Sequence, residues 1–129
     1  MLAFAAIFNK IRSNKISSGC EVLIPAVRWS TRLWPIIQMG LKPVFVDVDP
    51  QTLNICIRDL QTKITDKSVA ICMVHVLGNT CNMADLMKII CDNNLVLIED
   101  TCESLGSKYA GKCLGTFGDF GTYTFYFSH

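Results

Sequence analysis

Three observations predict an α/β fold, a mostly parallel sheet with helices on both faces. The runs Glu21–Ile24, Pro43–Val48, Val69–Val74 and Leu95–Ile98 are largely uninterrupted in their apolar character, as strands covered on both sides are. Between them lie segments whose apolar residues fall on a single helical stripe. Polar residues then collect at the carboxyl ends of the runs: Asp47 and Asp49, His75, Asp100, and Ser128-His129. Ligands of open parallel sheets bind at those ends. With 129 residues, half of them hydrophobic, one sizeable core can form, and no repeat, low-complexity tract or linker divides the chain.

The elements follow in order. Phe4, Ile7, Phe8 and Ile11 have the spacing of an amphipathic helix. The stretch around them lacks a preceding positive charge or a small-residue cleavage site, so it is not read as a signal peptide, and it is too short to span a bilayer. The strand from Glu21 stops at Pro25, and Ser30 to Met39 follows as a helix that Gly40 closes. After the strand from Pro43, Asn54 to Ile64 gives a helix with Ile57, Leu60 and Ile64 on one face. Asn82 caps the next helix, whose buried stripe is Met83, Leu86, Met87 and Ile90. Leu95–Ile98 runs straight into Glu99-Asp100. Gly121 to Phe127, rich in small, β-branched and aromatic residues, reads as a buried strand.

Charge excludes some functions. Twelve basic and eleven acidic residues leave a formal +1 with no basic cluster, so nothing marks a nucleic-acid surface. Seven cysteines, an odd number without a C-x-x-C pair, read as reduced thiols rather than as a disulfide framework or zinc site.

Among residues that could carry chemistry, Asp100 puts a carboxylate at the mouth of a strand, where it needs a cation or hydrogen-bond donors. A helix N-cap for the segment from Thr101 is the equal alternative. Trp29, just past Pro25, could stack on a flat heterocycle. Taken alone, it reads first as a core or subunit-interface aromatic. His75 reads as a hydrogen-bonded structural group. Gly115 to Asp119 lacks a dinucleotide fingerprint and reads as a tight connection.

Together these stretches resemble a known family. Val22 to Thr31, Pro43 to Ile55, Val74 to Asn79, Leu97 to Tyr109 and Gly115 to Tyr126 resemble, in order and spacing, the pyridoxal-phosphate-dependent sugar aminotransferases of fold type I. The resemblance covers nearly the whole chain. It implies that Asp100 meets the pyridine nitrogen of the cofactor, that Trp29 stacks on the ring and that the Thr124 hydroxyl helps to hold the phosphate. Glu103 falls where many members carry glutamine near the ring hydroxyl.

Five residues beyond Thr124, where the family places the lysine that links to the cofactor, this chain has His129. Histidine there resembles a sub-branch of dehydrases that remove the 3-hydroxyl from nucleotide-linked 4-keto-6-deoxy sugars. The cofactor there is pyridoxamine 5′-phosphate, held without a covalent lysine. The resemblance makes His129 the general base, a task suited to an imidazole. It implies a homodimer that makes sugars for lipopolysaccharide or secondary metabolites, with a nucleotide-sugar substrate; the reduced cysteines point to a cytoplasmic protein, and charge and hydropathy to neither nucleic acid nor membrane as partner. Residues 1–129 would then be part of the large cofactor-binding domain, with a phosphate-binding turn before Met1 and a small domain after His129. Alone, such a part is expected to be inactive. The alternatives are a sugar aminotransferase and a non-catalytic remnant.

Overall fold

The computed structural model describes residues 18–125, and the expected N-terminal stripe of Phe4 to Ile11 lies outside them. Five strands form the main sheet in the order β2-β1-β3-β4-β7: β1 Glu21–Pro25, β2 Lys42–Val46, β3 Ser68–Val74, β4 Val96–Asp100 and β7 Phe120–Thr122. Every neighbouring pair is parallel. A small antiparallel hairpin, β5 Lys108–Tyr109 and β6 Lys112–Cys113, stands apart.

Alternation along the strands divides the core between the two faces. Leu23, Ile71, Met73 and Leu97 pack with Leu60 of α2 (Ile57–Lys63) and with Met83, Leu86, Ile89 and Ile90 of α3 (Met83–Asp92). Val22, Ile24, Ala70, Cys72 and Ile98 meet Ile36 of α1 (Leu33–Gln38) on the opposite face. Burial on both sides is what made the strands read as continuous apolar runs. The sheet is therefore the parallel, two-faced one expected from the sequence.

Local chemistry sets the element ends. Asn82 caps α3, its Oδ1 accepting from the backbone N–H of Ala84 at 3.1 Å and of Asp85 at 3.3 Å. Ile89 rather than Met87 completes the fully buried stripe of that helix. The stretch expected to be one helix from Ser30 begins as a 3-10 turn, Ser30–Arg32, before α1. The strand expected to run to Val48 ends at Val46, because the Asp47 N–H donates to the Asp59 carboxylate at 2.7 Å while the Asp47 side chain takes the Val48 N–H at 2.8 Å. Asn54 does not open α2. It is buried in the preceding loop, where its Nδ2 donates to the Thr52 carbonyl at 2.8 Å and its Oδ1 accepts from the Val76 N–H at 3.1 Å.

The last strand corrects an expectation. Within the described residues it is the three-residue edge strand β7, paired with β4 alone, and Tyr123 and Phe125 beyond it are exposed. A Cβ at Gly121 would overlap the Gly115 carbonyl, so this strand needs glycine where it crosses the preceding turn.

All seven cysteines are free thiols. Burial pushes the thiols of Cys72 up to about 11 and of Cys81 up to about 12, whereas Cys91 and Cys113 are exposed. Since the thiolate is the reactive form, a disulfide reagent should label Cys91 and Cys113 in the folded protein and reach Cys72 and Cys81 only after unfolding. Peptide mass spectrometry of the labelled protein checks this. Labelling of Cys72 at the rate of Cys91 would contradict it.

Candidate active site

Strand order reverses beside β1: β2 follows it on one side, whereas β3 returns to the other. A crevice opens at such a switch point, beyond the carboxyl ends of the two strands. Here it is a cavity of about 580 Å³, a size common for small-molecule sites. Its walls come from the loop after β1 and the 3-10 turn (Val27, Arg28, Trp29, Thr31, Arg32), the end of β3 (Val74, Val76), the end of β4 (Asp100, Cys102, Glu103), and Thr124 after β7. The structure thus brings Trp29, Asp100, Glu103 and Thr124 to one pocket, although the sequence carries them on four separate segments. His129 lies outside the described residues.

Asp100 is 4% exposed. No helix starts at Thr101 or later among the described residues, so the capping alternative does not hold; its Oδ1 accepts from the Cys102 N–H at 3.0 Å. Its Oδ2 is paired with the Arg32 guanidinium, which also donates to Cys102 Sγ at 3.3 Å and to Thr122 Oγ1 at 3.4 Å. Trp29 is no core residue: 72% exposed, it stands on the pocket wall. Glu103 accepts the Leu77 N–H at 3.1 Å, which ties the loop after β3 to the one after β4. Arg28 stacks on Phe45, its guanidinium carbon 4.4 Å from the ring centroid, and donates to the Pro25 carbonyl at 3.2 Å.

Sequence reasoning missed Glu99. Successive strand residues face opposite ways, so Glu99 points away from the pocket and is completely buried. His75 Nε2 lies 3.0 Å from its Oε2, which also accepts the Gly115 N–H at 2.8 Å. Its Oε1 accepts the N–H groups of Phe117 at 2.7 Å and Gly118 at 2.6 Å. Burial pushes this carboxyl up, but the hydrogen bonds from His75, Gly118 and Gly115 and the charge of His75 outweigh it and hold the group below its ordinary value. The turn read as a tight connection is wrapped around this carboxylate. His75, completely buried, has Thr80 Oγ1 at 2.8 Å from Nδ1, and so is the hydrogen-bonded structural group expected.

An acidic floor, an aromatic wall and two arginines suit a flat, cationic heterocycle carrying an anionic arm. The donor set therefore fits a pyridoxal-type cofactor.

Comparison with known proteins agrees. The chain is 43% identical, over its whole length, to GDP-4-keto-6-deoxy-D-mannose 3-dehydratase of Escherichia coli O55:H7 and spans 33% of that relative. The solved structure of the E. coli GDP-4-keto-6-deoxy-D-mannose-3-dehydratase with bound hydrated PLP superposes on 99% of this chain with a TM-score of 0.91 at 43% identity, again over 33% of that protein. An aminotransferase from Psychrobacter cryohalolentis, 31% identical, matches 91% of the chain with a TM-score of 0.81 over 29% of its own length. The chain thus spans about a third of these relatives. Residues 3–129 match one family model, and on that match and the shared fold the chain belongs to the DegT/DnrJ/EryC1/StrS aminotransferase family.

Proposed function

We infer that this chain is the cofactor-binding core of a larger enzyme that uses pyridoxal or pyridoxamine 5′-phosphate to remove the 3-hydroxyl from a nucleotide-linked 4-keto-6-deoxy sugar. The convergence of Trp29, Asp100, Glu103 and Thr124 on one switch-point pocket carries this reading, together with histidine rather than lysine at position 129. The relatives support a GDP-linked sugar as substrate. We place the enzyme in the cytoplasm as a homodimer; among the described residues no helix is long and apolar enough to cross a membrane. The 129-residue chain alone is expected to be inactive.

When bound, the cofactor supplies an amine for the 4-keto group and an electron sink for the carbon chemistry. Asp100 would hold a proton at the ring nitrogen, Trp29 would cover one ring face, Glu103 would meet the ring hydroxyl and Thr124 would donate to the phosphate. His129 would serve as the general base that takes a proton from the cofactor's C4′ carbon as the 3-hydroxyl leaves, a task suited to an imidazole.

The test uses the full-length protein with pyridoxamine 5′-phosphate and a GDP-linked 4-keto-6-deoxy sugar, the product being read by mass spectrometry and proton NMR. A 3-deoxy product is expected. Exchange of His129→Asn should cut its formation by about a hundredfold or more, the usual contribution of a general base. His129→Lys should instead retain cofactor through dialysis, with a new visible absorption band. A 4-amino sugar product would favour transamination, the reading that the Psychrobacter neighbour supports. No cofactor binding by either form would leave a non-catalytic remnant.

A further inference from the structure

We propose that Arg32 governs the proton affinity of the cofactor's ring nitrogen, acting through Asp100 as a positioning residue; this rests on the cofactor reading above. The carboxylate expected to meet that nitrogen already holds a cation. Arg32 and Asp100 are 15% and 5% exposed at their side chains and form an ion pair within the pocket. The guanidinium is fixed from two further sides, by Cys102 Sγ at 3.3 Å and Thr122 Oγ1 at 3.4 Å, so it belongs to the pocket floor. The second carboxylate oxygen takes the Cys102 N–H at 3.0 Å.

A guanidinium remains charged throughout the working pH range. A protonated ring nitrogen arriving at Asp100 would therefore share one negative charge with a second cation. A like charge on the other side of the same carboxylate opposes protonation, so the nitrogen should bind its proton less tightly than at a lone aspartate. The other ionisable groups around the pair are Arg28, Cys102 and Glu103 on the pocket walls and Cys72 in the core against the sheet. Arg28 adds charge of the same sign as Arg32. Glu103 opposes it, while its carboxylate is anchored to the Leu77 N–H.

The experiment titrates ring-¹⁵N-labelled pyridoxamine 5′-phosphate, bound to the full-length protein, by ¹⁵N NMR. Arg32→Gln keeps a donor for Asp100 without the charge, and Arg32→Lys keeps the charge. The proton affinity of the ring nitrogen is expected to rise about tenfold or more in the glutamine variant, the low end of the shift that one adjacent charge causes. Cofactor should bind more tightly there as well, and the lysine variant should follow the wild type. Identical nitrogen titrations in wild type and the glutamine variant overturn the proposal. If the glutamine variant does not fold, Arg32→Thr takes its place with the same outcomes: a raised proton affinity of the ring nitrogen supports the proposal, and a titration identical to the wild type overturns it. Absence of cofactor binding in the wild type overturns the cofactor reading and this one with it.

Discussion

Exchange of Asp100→Asn in the full-length protein is expected to lower 3-deoxygenation by a factor on the order of a hundred to a thousand, the usual loss when one preorganised electrostatic partner is removed. Asparagine can still accept the Cys102 N–H, so the turn after β4 should survive. What disappears is the charge. Arg32 would then face the ring nitrogen without a counter-ion, and a nitrogen beside an uncompensated guanidinium loses its proton. Turnover, cofactor affinity and the ¹⁵N position of the ring should change together. Removing Arg32 in the same protein should restore part of the ring nitrogen's proton affinity, because the neighbouring positive charge leaves with it. Undiminished turnover in Asp100→Asn would show that the ring nitrogen lies elsewhere, and the orientation of the cofactor in this pocket would have to be reversed.

The site was legible in the sequence to different depths. Continuous apolar runs announced β1, β3 and β4, and their ends located the crevice, since a strand covered on both faces leaves nowhere else for Asp100 to emerge. Asn82 was readable as a cap because its bonds reach only two and three residues onward. Trp29 was different: a lone tryptophan after a strand reads first as a core or subunit-interface aromatic, and the family resemblance favoured the ring-stacking alternative, in keeping with its place on the pocket wall.

Arg32 and Glu99 were invisible for a shared reason. Arg32 meets Thr122 from 90 residues away and Cys102 from 70, and no periodicity records such a meeting. Glu99 binds backbone N–H groups between 16 and 19 residues downstream, where no side chain signals the contact. The boundaries that slipped, at Val46 and Asn54, are places where a side chain captured a backbone group. Local hydrogen bonding of that kind outcompetes a hydrophobic pattern over one or two residues.

Glu99 should therefore matter more to stability than its place beside Asp100 suggests. Exchange of Glu99→Leu would leave three backbone N–H groups and the His75 ring without their partner in a fully buried setting. Loss of one member of such a buried pair costs about 3–5 kcal/mol, a large share of the 5–15 kcal/mol that holds a domain folded. Glu99→Gln, which keeps one acceptor oxygen, should cost less. The same carboxylate sets an acid response. Its folded-state affinity for protons is reduced, so its stabilisation is complete above the ordinary glutamate value of 4.5. That stabilisation then fades as the pH falls through the lower folded-state value. Urea midpoints measured from pH 7 down to pH 3 should decline more steeply for the wild type than for Glu99→Gln, the curves converging in acid. Parallel curves would mean that Glu99 gains no protection from its partners, and the turn from Gly115 to Gly118 would have to be held by something other than this carboxylate.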